Sequence, residues 1–264
     1  MEPGLEGRRD TFMHYLDLAG ATRESFQDSK MRPASLVSAP TGAGAPVIPD
    51  YLQRTYRWAY LDARNAKFLD HEWVVKMILW RQHRRLEQAA FAEIEPGQHV
   101  LQSACVYGNF SPALAEHIGP EGKLEVVDVA EVQVHNCRDK LAAFKHAIVR
   151  HEDVLYLRGT TVDTVCCYFL MHELPDDYKQ GVATVLLNSV RPGGKVVFVD
   201  YHKPHWAHPL KPVTSMIFDT LEPYAKGLWR SEIATIAGND LRFSWRKKTY
   251  FGGLYQKVVA TRKA

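Results

Sequence analysis

The sequence predicts an α/β protein with a doubly wound sheet of seven strands, and three observations carry that expectation. Five short apolar or β-branched runs recur with helix-length spacers between them. A loop rich in small residues follows the first run and leads into Ser111 and Pro112, a helix-opening pair. Two further runs flank Phe251-Gly252-Gly253 near the end of the chain and read as a closing antiparallel hairpin.

The first 49 of the 264 residues read as a disordered extension. Residues 33–49 hold four of the fourteen prolines together with Gly, Ala and Ser, and such a composition buries too little surface to offset ordering entropy. Residues 1–32 mix six acids with five Lys or Arg, whereas a mitochondrial leader is poor in acids. Residues 50–95 are expected to form a helical cap, with one helix from about Asn65 to Leu86, and residues 96–264 the sheet domain.

The strands are expected at His99–Ala104, Leu124–Val129, Ala147–His151, Val162–Met171 and Lys195–Tyr201, with Leu241–Tyr250 and Leu254–Thr261 as the hairpin. Right-handed crossovers between the first five give a buried parallel sheet. The longest apolar run, Val165 to Met171, is far short of the roughly 20 residues that cross a bilayer, so contact with a membrane would be peripheral. A formal charge of +3 leaves no general footprint for nucleic acid, and no nucleic-acid partner is expected. Cys105, Cys137, Cys166 and Cys167 form no Cys-x-x-Cys pair, which points to a reducing compartment without structural zinc.

In a doubly wound sheet the ligand lies beyond the carboxyl ends of the strands. Here that edge carries the loop Ala104-Cys105-Val106-Tyr107-Gly108, with Ser111 as the expected cap of a helix over Pro112–Ile118. Asp128 closes the second strand, where a carboxylate accepts both hydroxyls of a ribose. Asp153 follows the third strand, placed to accept from an adenine amino group.

This order of parts resembles the Rossmann-like sheet of the class I S-adenosylmethionine methyltransferases from about Pro96 onward. The resemblance implies a cosubstrate held against Gln102, Ala104, Cys105, Val106, Gly108, Ser111, Asp128, Val129, Asp153 and Val154. The loop departs from that family's acid-x-Gly-x-Gly-x-Gly pattern, since Gln102 replaces the acid and only Gly108 remains of the glycines.

Three motifs coincide with a narrower group: the loop at 104–111, Val197 through His205 (VFVDYHKPH), and Thr249 through Lys257 (TYFGGLYQK). With the opening Pro49 through Leu61 they make the chain similar to the rhodoquinone-biosynthesis family. The resemblance implies an enzyme that replaces a methoxy group of ubiquinone by an amino group, with S-adenosylmethionine as amino donor and a divalent metal, manganese, required.

Manganese favours carboxylate and imidazole ligands, and Asp200 and His202, at i and i+2 of the fifth strand, are the expected pair. Tyr107, His172 and Tyr201 are candidates for proton transfer or for donation to a ring carbonyl. Tyr56, Tyr60, Tyr250 and Phe251 are the expected walls of a quinone site. The tail of ubiquinone implies a peripheral site at the inner membrane, on the cytoplasmic or matrix side, met by Trp73 through Arg85. The alternatives are an ordinary methyltransferase of a quinone or phenolic lipid, and a non-catalytic methyltransferase-like binding subunit.

Overall fold

The structure is a computed structural model that describes residues 46–264, so the expected extension falls outside the described residues up to position 45. Just before Asp50, Ile48 packs on the cluster of Leu52, Tyr56 and Ala130 and its carbonyl accepts from Gln53 Nε2 at 2.8 Å.

The cap is three short helices, α2 (Ala63–Leu69), α3 (Glu72–Ile78) and α4 (His83–Phe91), preceded by α1 (Asp50–Thr55) and a π-turn over Arg57–Leu61. The single helix expected from about Asn65 to Leu86 is therefore corrected. Asp62 caps α2 by accepting from Arg64 N at 2.9 Å and Asn65 N at 3.2 Å. Trp80 and Arg81 end α3 in the left-handed region, at φ 48° and 62°, and Arg81 N donates back to Lys76 O at 2.7 Å. That six-residue closure is the usual way a helix stops, and hydrophobic periodicity runs on past it because the apolar face continues into α4.

Seven strands form one sheet: β1 (His99–Gln102), β2 (Lys123–Asp128), β3 (Ala147–His151), β4 (Val162–Tyr168), β5 (Val190–Tyr201), β6 (Phe243–Tyr250) and β7 (Tyr255–Arg262). Their order is β3-β2-β1-β4-β5-β7-β6, parallel throughout except for β7, which pairs antiparallel with β5 and β6. The helices α5 (Phe110–Ile118), α6 (Glu131–Leu141) and α7 (Asp176–Asn188) make the crossovers, and α8 (Lys211–Thr220) follows β5.

Alternation along the central strands sends Val100, Cys166, Val197 and Val199 to one face, against Leu86, Leu114 and Phe218. Leu101, Cys167, Val196 and Phe198 go to the other, against Val182, Leu186 and Leu187. Both faces are covered, which is why these strands read as continuous apolar runs. All four cysteines are buried free thiols. β1 and β4 end before the expected boundaries, and the residues thus released, Ser103–Ala104 and Phe169–Met171, join the loops of the carboxyl edge.

Candidate functional site

The carboxyl edge of the sheet and the cap enclose a cavity of about 190 Å³. Its walls come from Ser103–Tyr107 after β1, Asp128–Ala130 after β2, Asp153 and Val154 after β3, Tyr168–Leu170 and His172–Leu174 after β4, and Tyr201 at the end of β5. The cap contributes Tyr51, Trp58 and Tyr60, and Glu222 enters from the segment after α8.

At one end, Asp128 is held by two backbone donors: Cys105 N reaches Oδ2 at 2.8 Å and Ala130 N reaches Oδ1 at 2.8 Å. Burial pushes its carboxyl up to about 6 despite those donors. Asp153 caps a 3₁₀ turn through Leu155 N at 2.9 Å, and burial raises it too.

The loop between them is fastened from outside. Lys140 Nζ donates to Asp70 Oδ1 at 2.7 Å and to Gly108 O at 3.0 Å, and Gly108 N donates to the same Asp70 oxygen at 2.9 Å. Gly108 has φ 79°, and a Cβ there would lie 3.2 Å from Val75 Cγ2, so the cap helix α3 packs directly on the glycine.

At the other end stand titratable groups. His172 Nδ1 lies 2.9 Å from Asp200 Oδ1, and Asp200 also accepts from the amides of His172 at 3.2 Å and Tyr201 at 2.7 Å. His172 Nε2 faces Glu173 Oε1 at 3.8 Å and Glu222 Oε2 at 4.0 Å. Burial alone would lower the imidazole, but the carboxylates of Asp200, Glu222 and Glu173 outweigh it and bring His172 to about 9. Burial raises Glu173 to about 8 and raises Glu222 as well, against the opposing pull of the imidazole. Tyr60 donates to Glu173, and Tyr56 donates to Glu222 at 2.8 Å.

Of the expected cosubstrate residues, Ala104, Cys105, Val106, Asp128, Val129, Asp153 and Val154 line this cavity. Gln102, Gly108 and Ser111 stand behind the wall. Gln102 is fully buried and donates to Ala104 O at 2.7 Å and Ser111 Oγ at 2.8 Å, which stiffens the loop from below. Ser111 lies inside α5 rather than capping it, because the helix starts two residues earlier than expected, at Phe110, with Asn109 at the cap.

Tyr107 lines the cavity, but its hydroxyl is committed to the cap. It donates to Ala59 O and accepts from Gln133 Nε2 at 2.9 Å, while its ring stacks on Tyr60 at 5.5 Å and 7°. Of the expected quinone walls, Tyr60 faces the cavity and Tyr56 lies just behind it on Glu222. Tyr250 and Phe251 are elsewhere: Arg85 and Lys248 sit on the Tyr250 ring at 5.5 and 5.6 Å, and Phe251 packs edge-on against His208 at 5.2 Å. The hairpin turn lies at the carboxyl edge, since Tyr255 pairs with Tyr201, but on the β6–β7 side of the sheet, and neither residue lines the cavity.

Asp200 and His202 do not converge. Asp200 turns inward to His172, whereas His202 donates from Nδ1 to Gly253 O at 2.9 Å and accepts at Nε2 from Lys247 Nζ at 3.0 Å. The alternation expected to align i with i+2 fails because β5 ends at Tyr201. Among the described residues no group of three or more His, Cys, Asp or Glu is arranged to hold a metal ion.

Glu222 was not visible as a site residue, since it lies in a turn after α8 with no flanking motif. Tyr51 was equally silent, because an aromatic on a short helix reads as core until the cavity beside it is known.

A methyltransferase-domain family model matches residues 100–194. The chain is 30% identical over 116 residues to a demethylmenaquinone methyltransferase of Alkalihalophilus pseudofirmus, covering 42% of this chain and 48% of that protein. It is 28% identical over 149 residues to one of Shouchella clausii, covering 54% and 63%. The chain spans about half the length of the curated relatives it matches first. Among solved structures, a SAM-dependent methyltransferase from Aquifex aeolicus superposes with a TM-score of 0.55 at 20% identity, covering 76% of this chain and 98% of that one. The N-methyltransferase NodS of Bradyrhizobium japonicum, in complex with S-adenosyl-L-homocysteine, superposes at 0.56 with 13% identity, covering 82% and 100%. The fold is thus the Rossmann-like methyltransferase fold, and the chain is methyltransferase-like.

Proposed function

We propose that this chain is an S-adenosylmethionine-dependent transferase acting on a quinone-type ring. The observation that carries this reading is one continuous cavity with a nucleotide-type end at Asp128 and a proton-handling end at His172–Asp200. Asp128 would take the ribose hydroxyls, Asp153 the adenine edge, and the loop Ala104–Val106 the chain between nucleoside and sulfur. Bound there, S-adenosylmethionine supplies an activated group on a sulfonium centre.

The remaining work falls to this chain's own residues. Trp58, Tyr60, Phe169 and Tyr201 offer flat walls to a ring. His172, oriented by Asp200, takes a proton at Nε2 from the acceptor as the new bond forms. The cap, tied down through Tyr107 and Lys140, keeps water from the reacting atoms.

The group transferred separates two readings. Methyl transfer is supported by the relatives, which are named for methylating demethylmenaquinone. Amino transfer to ubiquinone in place of a methoxy group, the rhodoquinone reaction, is supported by the altered loop, where Gln102 is turned to Ala104 O and Ser111 Oγ and position 102 offers no acid to the cosubstrate's ammonium. The manganese implied by that resemblance is not met by Asp200 and His202 as a pair. The test is the mass of the quinone after incubation with S-adenosylmethionine, because methylation raises it and replacement of methoxy by amino lowers it.

A long-tailed quinone would bring the protein to a membrane surface. Among the described residues no helix is long and apolar enough to cross one. Trp73, at 46% exposed, and Trp206, at 79%, are the side chains suited to the headgroup zone, whereas Val74 and Trp80 of the same expected segment turn into the protein.

A further inference from the structure

The inner end of the cavity gathers three carboxyl groups, Asp200, Glu173 and Glu222, around a single imidazole. Asp200 Oδ1 lies 2.9 Å from one nitrogen of His172, Nδ1, without hydrogen-bond alignment. The other, Nε2, makes no hydrogen bond among the described residues although His172 is only 5% exposed, and Glu173 Oε1 and Glu222 Oε2 flank it at 3.8 and 4.0 Å. Tyr60 and Tyr56 donate to the two carboxylates, but both are neutral phenols whose ionisation burial suppresses. No lysine or arginine among the described residues pairs with Glu173 or Glu222. A second observation is independent of these acids. Ser103 Oγ, on a residue 2% exposed, has no hydrogen-bond partner and lies on the wall of the same cavity.

Buried carboxylates without a cation are costly, and the cost is relieved when a bound cation supplies both charge and donors. The atoms that converge here act as acceptors: two carboxylate oxygens and, when the imidazolium loses its Nε2 proton and keeps the one facing Asp200, the Nε2 lone pair. Acceptors that bind one tetrahedral nitrogen at about 2.9 Å each stand about 4–5 Å apart, close to the spacing found. A hydroxyl offers one donor to such a set, whereas a primary ammonium offers three and the missing charge.

We infer that Glu173, Glu222 and His172 Nε2 form a seat for a primary ammonium group of a bound ligand. The inference rests on the cavity being the ligand site proposed above. The ammonium comes either from the amino-acid end of the cosubstrate or from an amine carried by the acceptor ring.

Calorimetry on the full chain near neutral pH distinguishes these sources with two matched pairs of probes. One pair is S-adenosylhomocysteine and its desamino analogue. The other is tyramine and 4-ethylphenol. In one pair the ammonium-bearing member should bind at least about tenfold more tightly to the parent, as expected of a charge-assisted contact. Glu173→Gln and Glu222→Gln should each remove most of that preference and leave the affinity of the uncharged member unchanged. Preference in the first pair assigns the seat to the cosubstrate, and in the second to the acceptor.

No preference in either pair, or a preference that survives both substitutions, overturns the seat and means that the two carboxyls share a proton of their own. The parent's preference is read without any variant, so misfolding of one does not blunt the test. Failure of S-adenosylhomocysteine to bind at all contradicts the proposed function instead, while the second pair still reads the seat.

Discussion

The imidazole of His172 stands 2.9 Å from the carboxylate of Asp200, and this contact joins the loop after β4 to the end of β5. The same carboxylate also accepts from the amides of His172 and Tyr201, so its position is fixed by backbone before any ligand arrives. Such prior fixing is what an oriented proton acceptor requires.

If His172 takes the proton, only its neutral form works. With the imidazole near 9, the transfer rate should rise with pH up to about that value and then level. Asp200→Asn removes the largest influence that raises the imidazole, so the rising limb should move down by about 1–3 pH units while the plateau falls. A pH–rate profile with an unmoved limb would remove His172 from the reaction.

Asp128 should hold the nucleoside. Asp128→Asn keeps the backbone bonds of one oxygen but loses the charge, and affinity for S-adenosylhomocysteine should fall by about 1.5–3 kcal/mol. Because the parent carboxyl sits near 6, affinity should rise with pH through that value in the parent and stay flat in the variant. Calorimetry at several pH values reads both effects.

Much of this end of the site was legible in the sequence. A carboxylate at the end of the second strand and a small-residue loop after the first are local features, and the fold places them together by topology alone. Glu222 was illegible because its role depends on how the segment after α8 folds back over the sheet. Asp200 and His202 were misjudged for a related reason: strand alternation holds only while the strand lasts, and β5 stops at Tyr201. In the cap, amphipathic periodicity carried no sign of the left-handed Trp80–Arg81 closure that divides the expected helix.

Tyr107 illustrates how a residue in the right loop takes a structural part. Tyr107→Phe removes the bonds to Ala59 O and Gln133 Nε2 and should cost about 1–2 kcal/mol of stability. Hydrogen exchange in residues 57–61 should quicken, and the limiting rate at saturating cosubstrate should hold. A large drop in that limiting rate, with the cap intact, would give the phenol a direct role.

Far from the cavity, Glu125 anchors the sheet edge through His99 Nε2 at 2.8 Å, Lys123 Nζ at 2.5 Å and Arg150 Nη1 at 2.9 Å. Burial opposes its ionisation, but these three partners prevail and hold its carboxyl near 2. A depressed carboxyl contributes stability that is complete above its ordinary value and lost as pH falls towards 2. Glu125→Gln should therefore lower stability at neutral pH by about 2 kcal/mol and flatten the acid limb. Denaturant melts across that range check the slope.

The most direct test of the account is the mass of the acceptor. The protein is incubated with S-adenosylmethionine and short-chain quinones in both redox forms, one demethylated and one a ubiquinone, and the products are weighed. The account predicts a mass change that requires S-adenosylmethionine and is lost in Asp128→Ala: a gain of one methyl group on the demethylated ring, or on ubiquinone the loss that accompanies exchange of methoxy for amino. Unchanged mass of every acceptor, from protein shown to bind S-adenosylhomocysteine, would contradict a quinone transferase.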